Sequence, residues 1–272
     1  MPKYIISINS HQELSNILKK DISGILIYLD KLSVNSNYYM TIEDILKTDF
    51  SNKELFICMN KIMHNSDLSL VKTSLESLKE TNCTILFYDM AVYKLAKELD
   101  MTDKLMIYQD HLNTSSYSNK FYYNLGISSS YISSDITGEE LLQIRKNYPG
   151  KLMFTAYGYI PIFYSRRYLI TNYLKYLNLE KKSANYTIKS DNGDVYPIIE
   201  EEFGTTVYSS KPVNLINKVP ELTNIDYLVL NGNLIDELEF EDVIDNFINQ
   251  NKMDDCYLGF YETKTIYRVK GE

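Results

Sequence analysis

The chain has 272 residues, of which 28 are basic and 36 acidic, so its formal net charge is −8. This charge argues against RNA binding by general phosphate attraction alone, and three cysteines exclude a disulfide framework or a four-cysteine iron–sulfur site within one chain. The sequence lacks both a run of about 20 apolar residues and a secretory signal, so we expect a cytoplasmic protein without a membrane span.

Eight short apolar runs predict buried β-strands. Most are continuous rather than alternating, as in strands that are covered on both faces. In chain order the runs are Tyr4–Ile8, Gly24–Leu29, Leu55–Met59, Thr84–Tyr88, Leu105–Tyr108, Ser130–Ile132, Leu152–Tyr157 and Tyr227–Leu230.

The segments between these runs show the spacing of amphipathic helices. Two of them begin with a capping box, Ser10 with Glu13 and Thr137 with Glu140. The clearest apolar stripes are Leu14, Ile17 and Leu18; Leu68, Val71, Leu75 and Leu78; Val92, Leu95, Ala96 and Leu99; and Phe240, Val243, Ile244, Phe247 and Ile248.

Eight strands that alternate with helices predict an α/β fold of the (β/α)8 TIM-like barrel type, formed as one domain over residues 1–272. The alternative is a doubly wound open sheet, which usually carries a glycine-rich phosphate turn after its first strand. Here that turn is Ser7-Ile8-Asn9-Ser10, so the barrel is favoured.

Residues 183–210 interrupt the alternation. The stretch contains three strand-like segments, and an Asn192-Gly193 step favours a tight hairpin turn between the first two. We therefore predict a small antiparallel β insertion after the seventh strand.

Function in such a barrel is expected at the carboxyl ends of the strands. Those ends carry a polar rim, from which we predict that Asn60, Asp89, Gln109, Asn113, Ser134 and Tyr157 contact a substrate. The seventh strand continues through Gly158 into an apolar loop that ends in Arg166 and Arg167. Because arginine binds carboxylate and phosphate oxygens in a bidentate manner, we predict that these two arginines hold a small anion at the barrel mouth.

The usual hydrolase motifs and any metal-binding motif are missing from the sequence. His64 and His111 follow the third and fifth strands, where we expect solvated loop residues without an acidic partner. Cys58 and Cys83 are expected to be buried apolar residues rather than ligands. The residues by themselves thus assign no catalytic group.

Several blocks resemble the peptidase U32 family, in matching order and spacing from about residue 55 to 230. The block Tyr157–Thr171 resembles the family signature. Further similarity occurs at Asn60–Asp67, Tyr88–Val92, Leu112–Ser115, Ser133–Asp135 and Asp191–Pro197. The resemblance implies a barrel-like fold, and it implies either a peptidase or a protein of prephenate-dependent hydroxylation of RNA or quinones.

The chain departs from that family at the residues that carry its chemistry. The cysteines that hold an iron–sulfur cluster fall on Pro161 and Tyr168, and the signature glutamate and histidine fall on Met153 and Tyr157. We therefore expect no cofactor.

Three functions remain open at this point. The first is a cluster-free subunit or accessory protein in tRNA hydroxylation, paired with a longer U32 paralogue that contacts RNA and binding an anion such as prephenate. The second is a U32-type hydrolase, and the third is a stand-alone anion-binding barrel without catalysis.

Overall fold

The computed structural model describes residues 2–263 of the chain. The β-strands in this range, numbered in chain order, are β1 (Lys3–Ser7), β2 (Gly24–Leu29), β3 (Tyr39–Met40), β4 (Glu54–Met59), β5 (Cys83–Phe87), β6 (Leu105–Tyr108), β7 (Ser129–Tyr131), β8 (Lys151–Gly158), β9 (Pro161–Ser165), β10 (Asn185–Lys189), β11 (Val195–Glu201), β12 (Gly204–Tyr208), β13 (Val213–Asn214) and β14 (Tyr227–Asn231). The α-helices of the same range are α1 (His11–Ile17), α2 (Ile42–Lys47), α3 (Leu68–Leu78), α4 (Met90–Glu98), α5 (Ser116–Asn124), α6 (Gly138–Asn147), α7 (Leu169–Tyr176) and α8 (Glu237–Asn249).

Eight of these strands close into a parallel barrel. Their order around the barrel is β1, β14, β8, β7, β6, β5, β4 and β2, and the ring closes because β1 pairs with both β14 and β2. Each predicted apolar run forms one barrel strand, so the predicted (β/α)8 fold is confirmed. The short strand β3, which pairs in parallel with β2, was not predicted, because two residues carry no periodicity.

The barrel interior is filled by alternate residues of the strands. Leu26 and Tyr28 of β2, Phe56 and Cys58 of β4, and Met153 of β8 belong to one buried cluster in the described chain. The intervening residues are also buried, for example Ile25 and Ile27 at 0% and 1% exposure. The surrounding helices cover that outer face, which explains why the strands read as continuous apolar runs.

The helices bury the predicted stripes. Val71, Leu75 and Leu78 of α3 are fully buried, as are Phe240 and Phe247 of α8. Both predicted capping residues accept a hydrogen bond from the third helical residue. Among the helices of residues 2–263, none has the length and apolar character that a membrane crossing requires.

A polar network lies at the amino end of the barrel. Tyr227 donates a hydrogen bond to Glu54 Oε2 at 3.0 Å and accepts one from Lys151 Nζ at 3.3 Å, while Lys3 pairs with Glu54. Both lysine ammonium groups lie 5.8 Å from the centre of the Tyr227 ring. The strands finish at the opposite end, the mouth, which is where function is expected in a barrel of this type.

The chain divides into two compact units. Within the described chain, the barrel unit comprises residues 2–158 and 214–263, and the insertion unit comprises Tyr159–Val213. The insertion unit contains a four-stranded antiparallel sheet in the order β10, β11, β12, β9. The small antiparallel sheet that was predicted after the seventh barrel strand is thus present, with its hairpin turn at Gly193, where φ is +90°.

One part of the sequence interpretation is wrong. The stretch taken as an apolar loop before Arg166 contains strand β9, whose Ser165 and Phe163 pair with Thr205 and Val207 of β12. The strand was missed because it follows β8 almost directly, and its partner lies some forty residues later in the chain.

Candidate functional site at the barrel mouth

Two of the predicted rim residues hold loops in place. Asn60 is buried and exchanges two hydrogen bonds with Val34, accepting from the backbone nitrogen at 2.8 Å and donating to the carbonyl oxygen at 3.1 Å. Asp89 caps α4 by accepting from the backbone nitrogen of Ala91 at 2.9 Å, and its other oxygen accepts from Met63 at 3.0 Å. The side chains of Asn60 and Asp89 therefore already have structural partners.

Gln109, Asn113 and Ser134 lie on the loops that follow the neighbouring strands β6 and β7. Gln109 accepts a hydrogen bond from the Tyr122 hydroxyl at 3.1 Å. Asn113 is fully buried and donates to the carbonyl oxygen of Tyr131 at 2.9 Å, and Ser134 is partly exposed. The structure therefore brings these three predicted residues to one sector of the mouth.

Tyr157 faces the outside of the barrel. Thr155 of β8 faces the interior, where its hydroxyl lies 2.7 Å from that of Tyr131. A register shift between Val229 and Leu230 then pairs Tyr157 with Leu230, so that the Tyr157 ring turns outward and packs against Phe240 and Phe247 of α8. The Tyr157 ring therefore lies in the layer between the barrel and α8.

The same sector contains a histidine–aspartate pair that the sequence interpretation missed. His111 Nδ1 lies 3.2 Å from Asp135 Oδ2, so the expectation that His111 has no acidic partner is wrong. The hydrogen bond to Asp135 raises the pKa of His111, against the opposing effect of burial. His111 follows β6 and Asp135 follows β7, so their proximity could have been predicted from the adjacency of these strands in a barrel.

Hydrogen bonds between the two loops fix this pair. The Ser133 hydroxyl donates to the carbonyl oxygen of Asp110 and accepts from the backbone nitrogen of Asp135 at 3.1 Å. The backbone nitrogen of Ser133 donates to the Asn113 carbonyl at 3.1 Å. The loops therefore hold His111 and Asp135 in one arrangement rather than leaving them solvated.

Asp110 places a second carboxylate beside the barrel interior. Burial raises the pKa of Asp110 itself. Burial also raises the pKa of Cys58, Tyr108 and Tyr131, and the charge of Asp110 adds to each rise. These three residues belong to the buried interior cluster, so Asp110 lies close to the end of this cluster that faces the mouth. The sector thus combines an imidazole, two carboxylates and buried hydroxyl groups.

Lys61, which is also buried at the mouth, is ion-paired. Its ammonium group lies 3.2 Å from Asp67 Oδ2, and the Lys61 side chain is 5% exposed. Hydrogen bonds from His64 and Lys61, together with the lysine charge, lower the pKa of Asp67 although burial acts in the opposite direction.

Arg166 and Arg167 belong to the insertion unit, in the turn between β9 and α7, and both are exposed. Within the described chain the Arg167 side chain forms no ion pair, while its carbonyl oxygen accepts from the Thr205 hydroxyl at 2.8 Å. The rim residues of the barrel unit and these arginines are thus on different units.

A buried carboxylate occupies the amino end of α7. Glu200, whose side chain is 1% exposed, accepts from the backbone nitrogens of Ile170 at 2.8 Å and Thr171 at 3.1 Å. Lys181 contributes an ion pair at 2.6 Å. An anion is stabilised at a helix amino terminus, and here the chain supplies that anion itself.

The cysteines are not arranged as ligands. Cys58 and Cys83 are buried, and burial raises the pKa of both thiols, to about 11 for Cys83. In residues 2–263 no three histidine, cysteine or acidic side chains are grouped so that they could hold a metal ion. Pro161 and Tyr168, which stand where the family resemblance places cluster ligands, lie in β9 and just before α7, and Tyr168 donates to the carbonyl oxygen of Glu202 at 2.7 Å. The described side chains therefore do not fit an iron–sulfur cluster.

The fold and the rim define a (β/α)8 barrel protein with a polar mouth and an antiparallel insertion after the seventh strand. The sequence profile of peptidase family U32 matches residues 37–259, which is more than half of the chain, so the chain belongs to this family. The chain is also similar to the tRNA hydroxylation protein P2 of Bacillus subtilis (strain 168), with 23% identity over 245 residues that cover 85% of this chain and 79% of that protein.

Proposed function

We propose that the chain is a cluster-free subunit or accessory protein in tRNA hydroxylation. The observation that carries the proposal is the similarity to the tRNA hydroxylation protein of Bacillus subtilis, which extends over 85% of this chain. Pro161 and Tyr168 at the expected ligand positions, and two buried cysteines, support a subunit without its own cluster.

A partner protein would supply what this chain lacks. A net charge of −8 gives little general attraction to RNA, so we expect RNA contact through a longer U32 paralogue that carries cluster ligands. This chain would then contribute its barrel and a small-molecule site to the pair.

The proposed ligand is a small dicarboxylate such as prephenate, held by Arg166 or Arg167. Both guanidinium groups are exposed on one turn of the insertion unit. Glu200 already occupies the nearby amino end of α7, so an incoming anion would depend on the arginines rather than on the helix.

Calorimetry on the full chain tests the ligand site. Each charge-assisted hydrogen bond contributes roughly 1.5–3 kcal/mol, so Arg166→Ala or Arg167→Ala should weaken prephenate binding about tenfold or more. Lys175→Ala is the matched control, because it removes an exposed cation from α7 of the same unit. Equal affinity in all four proteins would show that the arginines do not bind the ligand.

Deletion of the gene tests the function itself. We expect tRNA from the deletion strain to lose nucleosides that carry one added oxygen, measured by mass spectrometry, and the wild-type gene to restore them. Unchanged hydroxylation would contradict the proposal. Iron and sulfide analysis after anaerobic purification tests the cluster-free part separately, since stoichiometric iron would refute it.

A further inference from the structure

A cavity of about 170 Å³ lies at the amino end of the barrel unit. Three parts of the chain line it, namely Tyr4 at the start of β1, the last turn of α8 with the residues that follow it, and the 3₁₀ helix Ile216–Leu222 that precedes β14. All three belong to the barrel unit. An apolar cavity of roughly 150 Å³ can hold benzene, so this cavity has room for a molecule built on one six-membered ring.

The floor of the cavity is apolar and aromatic. Phe247 is fully buried, and Ile216 is nearly so. The ring of Tyr4 meets the ring of Phe247 edge to face, with the ring centres 5.8 Å apart. Val219, which is partly exposed, lines the cavity beside them. An apolar ring that enters this space would leave water and gain contact with two aromatic side chains, which favours binding.

Two hydrogen-bond donors line the same cavity, the Tyr4 hydroxyl and the Lys252 ammonium group. Within residues 2–263, neither side chain forms a hydrogen bond or an ion pair. Burial raises the pKa of Tyr4, so its hydroxyl keeps its hydrogen at neutral pH and can donate it. Lys252 is exposed and is the charged residue of the lining, so it supplies a positive charge at the rim.

The acceptors around the cavity already have donors. Asn217, which also lines the cavity, accepts from the backbone nitrogen of Met253 at 3.2 Å and donates to its carbonyl oxygen at 2.6 Å. The backbone nitrogens of Gln250 and Asn251 donate to carbonyl oxygens in the last turn of α8, at 3.3 and 3.0 Å. The lining thus has donors to offer rather than acceptors, so it suits an anion better than a cation.

We propose that this cavity binds a small anion built on one ring, an aromatic or alicyclic carboxylate. The ring would lie against Phe247 and Ile216, and the carboxylate would accept hydrogen bonds from Tyr4 and Lys252. Because chemistry in such barrels occurs at the opposite end, the site binds a ligand without transforming it. It lies on the barrel unit and does not involve Arg166 or Arg167, so it neither requires nor replaces the proposed role in tRNA hydroxylation.

Methyl NMR of the full chain, labelled at isoleucine and valine, tests the site with three probes. Benzoate carries both the ring and the carboxylate, benzyl alcohol keeps the ring without the charge, and acetate keeps the charge without the ring. We expect benzoate to shift the signals of Ile216 and Val219 until they saturate, benzyl alcohol to act more weakly, and acetate to leave them unchanged. Ile170, three residues after Arg167, reports separately on anion binding at the arginines.

Two variants test the assigned contacts. Lys252→Gln should weaken benzoate binding roughly three- to tenfold and leave the binding of benzyl alcohol unchanged. Lys72→Gln is the matched control, because it removes an exposed lysine from α3, away from the cavity. Val219→Phe fills the cavity and should abolish the response to both ring probes, while urea unfolding confirms that the variant is folded.

Four results would overturn the proposal. The first is a wild-type chain whose Ile216 and Val219 signals do not respond to benzoate, and the second is a response to acetate as large as that to benzoate. The third is an equal effect of Lys252→Gln and Lys72→Gln on benzoate binding. The fourth is undiminished benzoate binding in folded Val219→Phe, which would place the ring elsewhere.

Discussion

Glu13 is a buried carboxyl group whose replacement should stabilise the protein at neutral and alkaline pH. Its side chain lies in the first turn of α1, and the residue is 2% exposed. Oε2 accepts from the backbone nitrogen of Asn9 at 2.6 Å, whereas Oε1 has no partner in the described chain. Burial, opposed by that hydrogen bond and reinforced by Glu237 and Glu241, raises the pKa of Glu13 to about 7.

The direction of the effect follows from linkage. The folded state holds the Glu13 proton more tightly than the unfolded state, so stability from the neutral acid is complete below pH 4.5 and is lost as pH rises through about 7. The change in pKa from 4.5 to about 7 corresponds to roughly 3 kcal/mol. Glutamine stays neutral at every pH and retains an oxygen that can accept from Asn9.

Urea unfolding of wild type and Glu13→Gln at several pH values between 5 and 8 measures this difference. We expect nearly equal free energies of unfolding at pH 5, and a variant that is about 1–3 kcal/mol more stable at pH 8. Glu98→Gln, at an exposed position of α4, controls for the change in net charge and should stay within about 0.5 kcal/mol at each pH. A variant that is less stable than wild type by an amount that grows as pH rises would refute the reasoning, because the ionised carboxylate would then be the stabilising form.

Two further substitutions test the structural roles assigned above. Glu200→Gln should destabilise the insertion unit by about 1–3 kcal/mol, which amide exchange in α7 would show as a faster rate. Hydrogen bonds and the Lys181 charge lower the pKa of Glu200 despite burial, so the wild-type advantage should be present above pH 4.5 and disappear as pH falls below it. Amide exchange in the variant that stays as slow as in wild type at pH 7 would contradict the assignment. Asn60→Ala leaves the backbone nitrogen and carbonyl of Val34 without their partner, and should therefore lower the free energy of unfolding by about 2–4 kcal/mol. A change below about 0.5 kcal/mol in urea unfolding would show that water replaces the amide.

The barrel could be predicted from the sequence because its signals are local. A run such as Gly24–Leu29 is apolar at every position, and it forms β2 with the predicted bounds. The stripe of Val71, Leu75 and Leu78 lies on one face of α3 because helix periodicity is a property of neighbouring residues. Eight such alternations already favour a barrel over an open sheet.

In the insertion, neighbouring residues in the sequence predict some strands but not others. The hairpin of β10 and β11 was predictable from Asn192-Gly193, because the turn contains its own conformational preference. Strand β9 was not, because it is stabilised by pairing with β12, and β-strand formation depends on the partner as much as on the residues.

The site depended on tertiary structure in the same way. The sequence by itself determined that polar residues such as Gln109, Asn113 and Ser134 follow the strands. That these three share one sector depends on the pairing of β6 with β7 in the folded barrel. Only the folded chain decided that a register shift turns Tyr157 toward α8. Only the folded chain decided that the Asn60 side chain is bonded to Val34, which lies 26 positions away in the sequence. The physical reason is that strand register and loop closure, which join residues far apart in the chain, set the hydrogen-bond partners and the direction of each side chain. Strand and helix formation, by contrast, is already encoded in the spacing of neighbouring apolar residues.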